Sequence, residues 1–361
     1  MTFKKLLLIL FCGLSLNLGA QDFHYSQWQF APMIINPAMT GAFYGNLRVN
    51  AIGRDQGRPV AGAGNEFQDL SFTADINIDF GLTEGDWISG GLTVSRSMSV
   101  GVVDFQRQFA GISGAYHLAY GRKKDKVFTV GAKYGAYTTA FKTSGAGTDP
   151  FALQNNMETS ADLQSLWGDV ARMGEKSKND FMVGLMLTMP AGKNADVRMG
   201  VAMDRILNPL IKSSNAVTDT TMMGTGGNNI VSQRFGRRIN AHFSYFQSLN
   251  KKMVFNPNIV FQKLGSSTNL LVQGLFKYAF NPEKKMVLNF GLGVRFVNST
   301  DIPVYLGLDY DTWRFGLAYD TNVSGLRPSN NTFGALELGI RKIFSWKKDP
   351  VVSPKFICPR L

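Results

Sequence analysis

The sequence predicts an all-β protein: a transmembrane antiparallel β-barrel of about 14 strands, of the outer-membrane type. Three observations predict it. Apolar and polar residues alternate with period two along most of the chain, every long connection falls at an odd-numbered gap although three odd gaps are short, and an export signal comes first.

Residues 1–20 are the signal peptide. Lys4 and Lys5 precede an apolar run from Leu6 to Leu16, and Gly19-Ala20 offers small residues for cleavage before Gln21. That run is too short to span a bilayer. A lipoprotein signal at Cys12 is disfavoured by the short run before it and by the bulk of Phe11. After Ala20 no window of eighteen uninterrupted apolar residues occurs, so the chain has no helical anchor.

Residues 21–45 form a second element, a plug-like segment. It is apolar but does not alternate, and Pro32 and Pro37 break it. A stretch of this kind is rarely left in water, so Tyr25, Ser26, Gln27, Trp28, Ile35, Asn36, Pro37 and Ala38 are expected inside the lumen or at its periplasmic mouth.

Residues 46–345 carry the barrel. In Phe72–Phe80 the even positions are apolar and the odd ones polar. Met286–Phe296 and Trp313–Asp320 alternate in the same way, with small or polar residues on the second face. The spans expected are 46–55, 67–80, 86–98, 105–120, 126–141, 179–189, 195–206, 237–249, 252–264, 268–280, 284–298, 301–309, 312–321 and 333–345. The even-numbered gaps are all turn-like, Asn250-Lys251 and Tyr310-Asp311 among them. The four long connections, 56–66, 142–178, 207–236 and 322–332, are all odd-numbered. Long connections at one end and tight turns at the other are the arrangement of an outer-membrane barrel; a soluble sandwich has no reason for it. Trp87, Trp313 and Trp346 near strand ends suit an interfacial girdle. Residues 346–361, basic and with three prolines, form a periplasmic tail, either loose or a dock for a periplasmic partner.

Composition agrees with this reading. Charged residues are 18 % of the chain, against roughly 25 % in soluble domains, and a mean hydropathy near zero argues against a helical membrane protein. The net charge of +12 falls to about +10 without the signal peptide. Its Lys and Arg are scattered as short pairs, which excludes a nucleic-acid stripe. The only cysteines are Cys12 and Cys358. The first leaves with the signal peptide, so the mature chain has no internal disulfide.

Little in the sequence points to catalysis. His24, His117 and His242 lack metal-ligand spacing, and no nucleophile elbow, zinc-protease or phosphate-loop motif occurs in its required context. Parity places His117 and His242 on the lumen side, which argues against a membrane hydrolase with a lipid-facing Ser–His pair. Asp75, Asp79, Lys133, Lys277, Arg295 and Arg314 are also expected to face inward, where they could line a pore or pair with one another and with a plug; a buried charge needs a partner, which favours the pairing. No enzyme activity, cofactor or metal is expected.

Several motifs resemble the PorP/SprF family. They are Tyr25-Ser26-Gln27 with Ile35-Asn36-Pro37-Ala38, then Gly90–Arg96, Gly114–Leu118 and Leu306–Tyr310. The most specific is the run from Tyr319 through Asp320, Asn322, Val323 and Ser324 to Leu326, followed by Gly334–Leu338. The resemblance covers nearly the whole mature chain and fades in 142–178 and 207–236. It implies a non-enzymatic outer-membrane protein of Bacteroidota, tied to the type IX secretion system and to gliding motility. It implies as partners a secreted surface adhesin or other type IX cargo and a periplasmic peptidoglycan-binding component, besides outer-membrane lipid. It implies no catalytic residues. Both termini are expected in the periplasm. A passive channel for a small or hydrophobic solute is the rival reading.

Overall fold

The computed structural model describes residues 24–56, 66–78, 85–100, 104–122, 124–142, 176–192, 194–207, 210–212, 232–234, 236–265, 267–281, 285–297, 300–323 and 334–346. The signal peptide, Asp79, Ser324, both cysteines, most of the four long connections and nearly all of the C-terminal tail lie outside these residues.

Among the described residues sixteen strands follow one another: β1 Leu47–Gln56, β2 Glu66–Ile78, β3 Trp87–Val100, β4 Asp104–Tyr120, β5 Lys126–Lys142, β6 Lys176–Pro190, β7 Ala195–Asp204, β8 Leu210–Lys212, β9 Ser232–Arg234, β10 Arg238–Ser248, β11 Met253–Leu264, β12 Ser267–Asn281, β13 Met286–Phe296, β14 Thr300–Tyr310, β15 Trp313–Asn322 and β16 Ala335–Phe344. Fourteen of them close a barrel, with β7 pairing directly to β10 and β16 returning to β1. All the pairings are antiparallel, and closure runs from Leu47 opposite Phe344 to Gln56 opposite Ala335. The remaining two, β8 and β9, form a separate ribbon inside the 207–236 connection. Period-two reading missed this ribbon, because three residues are too few to alternate.

Closure leaves no strand edge, and hydrocarbon demands this because it offers no partner to a bare N–H or C=O. The side chains then sort by parity. Leu70, Ile112, Leu292 and Leu338 point outward and are 59–65 % exposed, whereas Thr73, His117, Arg295 and Glu337 point inward and are buried. An apolar outside around a polar inside is the reverse of a soluble core and matches a lipid-facing surface. Trp313 and Trp346 are on this outer surface. Trp87 is not: it shares the inward face with Ser89 and Thr93, is 5 % exposed, and stacks on His117 at 4.3 Å between ring centroids. Parity along β3 overrides its position near a strand end.

The lumen is filled by the N-terminal segment. It winds through a 3-10 turn at Trp28–Phe30, one α-helical turn at Pro32–Ile35 and a second 3-10 turn at Pro37–Met39. Both prolines sit in the first turn of their element, where no N–H is needed. Asn36 caps the last turn by accepting from the Ala38 amide. The segment starts at His24, beside Asn269 in the long-connection half of the lumen. It ends at the tight-turn mouth, where the Asn46 amide donates to the Phe344 carbonyl before β1 begins.

Two glycine pairs in the wall let it lie this close. Gly131 and Gly184 face each other across β5 and β6, and a Cβ on either would overlap Asn36, Pro37 or Ala38. Gly316 and Gly339 face each other across β15 and β16 and would collide with Gln27 and Phe30. Gly184→Val should therefore unseat the segment, at a cost of about 1–3 kcal/mol for the overpacking. We expect proteolysis of residues 24–45 to accelerate while heat-modifiable migration still reports a closed barrel. Protection equal to that of the parent would contradict the seat.

Candidate functional site

A segment buried in a lumen must find a partner for each backbone polar group. Here the partners are wall side chains, and the best-partnered stretch is Tyr25-Ser26-Gln27. The Ser26 and Gln27 amides donate to the two oxygens of Glu337 at 2.7 and 2.8 Å. The Ser26 hydroxyl lies against Asp320, 2.7 Å from one carboxylate oxygen, and accepts from Arg295. The Ser26 carbonyl accepts from the Gln273 amide at 2.6 Å and the Tyr305 hydroxyl at 3.2 Å. Tyr25 reaches the Ser71 hydroxyl at 2.7 Å.

Four buried charges hold this latch together. Arg54 on β1 bonds Asp320 on β15 and Glu337 on β16, each at 2.5 Å, and Arg295 on β13 bonds Asp320 at 2.9 Å. Two cations meet two carboxylates, so the group is balanced. Desolvating each charge costs several kcal/mol, and only close, mutually bonded geometry offsets that.

Further along, the wall keeps holding backbone. Lys133 donates to the Met33 carbonyl at 3.1 Å, Arg238 to Ile34 at 3.3 Å and Asn240 to Ile35 at 2.9 Å. Arg238 is itself paired with Asp204 at 2.5 Å. The Asn36 amide nitrogen is shared among the Leu185 and Val201 carbonyls and His242 Nε2. His117 Nε2 donates to the Thr40 carbonyl at 2.8 Å. Arg48 and Asp75, bidentately paired, take the Met39 carbonyl and the Gly41 amide. Both histidines are thus hydrogen-bonded fittings against the segment.

Of the residues named from sequence, Tyr25, Ser26, Gln27, Asn36, Asp75, His117, Lys133, His242, Arg295 and Asp320 meet in these contacts. Trp28, Ile35 and Ala38 pack in one apolar cluster with Met186 and Leu271, and Pro37 opens the last turn. Lys277 and Arg314 lie elsewhere, around a cavity at the tight-turn end, where Arg314 pairs with Asp309. Within the family-like run, Tyr319 and Val323 point outward and Asn322 donates to Asp301 at 2.9 Å. Reading by residue type missed Arg48, Arg54, Arg238 and Glu337. Their signal was available in parity, since Arg48 and Arg54 alternate with Val49, Ala51 and Gly53, and Glu337 sits between Leu336 and Leu338. Among the described residues no group of three His, Cys, Asp or Glu side chains is placed to hold a metal ion.

A family model described as Type IX secretion system membrane protein PorP/SprF matches residues 17–341. No curated protein matches the chain. Among solved structures, the toluene transporter TbuX of Ralstonia pickettii is 10 % identical over 87 % of this chain and 93 % of its own, with a TM-score of 0.49. The CymD monoaromatic hydrocarbon channel is 12 % identical over 91 % and 95 %, at 0.48. The translocator domain of the autotransporter NalP from Neisseria meningitidis is 14 % identical over 83 % and 88 %, at 0.36.

Glu337→Gln removes one charge from the balanced group and one acceptor from the Ser26–Gln27 amides. Breaking a buried pair in this way costs about 3–5 kcal/mol. We expect residues 24–45 to become protease-sensitive and the melting temperature in detergent to fall, while Tyr319→Phe on the lipid side changes neither. A Glu337→Gln protein as protected as the parent would show that the latch does not hold the segment.

Proposed function

The chain belongs to the PorP/SprF family of type IX secretion system membrane proteins, and from that premise we propose that it is a non-enzymatic outer-membrane barrel supporting secretion or surface attachment of a large adhesin-type cargo. The observation that carries this reading is the filled lumen. A segment bonded to the wall from Ser26 to Gly41 occupies the lumen, which favours a holding role over steady solute conduction.

In this reading the long connections face outward and carry the cargo contact, as surface loops on a rigid scaffold commonly do. The tight turns and the C-terminal tail face the periplasm and a peptidoglycan-binding component there, linking the translocon or the gliding machinery to the cell wall. With this orientation His24, the first described residue, lies in the outer half of the lumen, beside Asn269.

Deletion of residues 207–236 tests the reading. We expect loss of adhesin from the cell surface with the barrel still folded; unchanged display would remove the loop from the proposal. In planar bilayers the intact chain should show no steady conductance, and sustained open channels would favour a passive channel instead.

A further inference from the structure

The outer face of the barrel is dented where β1 closes on β16. A groove of about 620 Å3 crosses β1 and the strands from β16 back to β13, and among the described residues every side chain lining it is apolar. Its floor is a run of small residues. Ala51 and Gly53 are the outward positions of β1, and they lie between taller neighbours: Gly53 is paired with Leu70 on β2 and with Leu338 on β16, and Ala51 with Ile340. Leu70, Leu338 and Ile340 are all exposed and stand as rims of a trough along β1. A Cβ on Gly53 would meet only Leu70, at 3.7 Å, so the floor is open.

At the tight-turn end the trough meets a cation. One outward step along β16 from Ile340, about 7 Å at the rise of a strand, stands Lys342, paired with Val49 on β1 and with Trp313 on β15. Its Nζ lies 4.6 Å from the centre of the Trp313 ring and donates to the Thr312 hydroxyl at 2.6 Å. Both partners are neutral, and among the described residues no carboxylate pairs with Lys342. Asp311, next to Thr312 in sequence, is taken by Lys285 at 2.9 Å. Tyr310, Trp313 and Phe344 are exposed around this point, which sets Lys342 in an aromatic belt at headgroup depth. A void in hydrocarbon loses dispersion contacts unless an acyl chain fills it, and a lysine at the membrane surface attracts acidic headgroups. A second copy seated on the groove by a two-fold axis would bring the two Lys342 side chains to one height with no carboxylate in the groove to meet them.

From this we infer that the seam groove is a binding site for one phospholipid with an acidic headgroup, its acyl chain laid along β1 between Leu70 and Leu338 and its phosphate at Lys342 and Thr312. The inference rests on the lipid-facing surface of the barrel and is independent of the cargo reading.

The test is native mass spectrometry of the full chain released from a neutral detergent, with phosphatidylglycerol and phosphatidylcholine of equal chain length as probes. We expect one phosphatidylglycerol retained per chain, at least tenfold more tightly than phosphatidylcholine. Lys342→Gln should erase that preference. Ala51→Leu/Gly53→Leu fills the trough and should weaken retention of phosphatidylglycerol at least tenfold. Ile112→Leu, on the outer face of β4, should change neither. Heat-modifiable migration checks that each variant is a closed barrel. A second measurement needs no variant: the parent chain in phosphatidylcholine nanodiscs is given a small fraction of phosphatidylglycerol with a photoreactive acyl chain. Label should concentrate on Leu338 and Ile340 over Ile112 and Val130, which are outward on β4 and β5. Equal retention by the folded, filled variant, no preference between headgroups, or label spread evenly round the barrel would each overturn the inference. A dimer that the filled variant abolishes would also overturn it, by assigning the groove to a second copy.

Discussion

Hydrocarbon cannot hydrogen-bond, and this one constraint propagates through the whole molecule. It forces the strands into a ring, because any open edge would leave N–H and C=O groups bare. The ring in turn commits one face of every strand to lipid, so the polar faces of the strands line a narrow lumen. There they need partners as badly as the backbone did. Arg54, Arg295, Asp320 and Glu337 find each other, and the N-terminal segment supplies the amides and carbonyls that complete them. The segment has the same need from the other side: its prolines and turns leave backbone groups that no strand ladder can take. Wall and segment are therefore mutually dependent, and the glycine pairs mark where the fit is closest.

Much of this was legible in the sequence, and the physical reason is period two. Alternation tells which face a residue occupies, so the inward placement of Asp75, His117, His242 and Arg295 followed from neighbours alone. Loop parity likewise separated the two ends of the barrel. Trp87 shows how one cue misleads when another is ignored: its place near a strand end suggested an interface, while its parity with Ser89 already placed it inside.

What alternation does not reveal is height along the barrel and identity across the seam. Arg54 meets Glu337 from 283 residues away only because β1 closes on β16, and nothing local to either strand announces that register. The direction in which residues 24–45 traverse the lumen was hidden for the same reason. The β8–β9 ribbon was too short to show a period.

The claim on which the account depends is that Ser26 and Gln27 are bound by the wall as firmly as strand is bound to strand. Site-resolved amide exchange of the full chain in lipid nanodiscs measures it directly. The account predicts that these two amides exchange as slowly as those of Thr73 on β2 and Ala318 on β15. Exchange at the rate of an unstructured peptide, with the strand amides still protected, would contradict it.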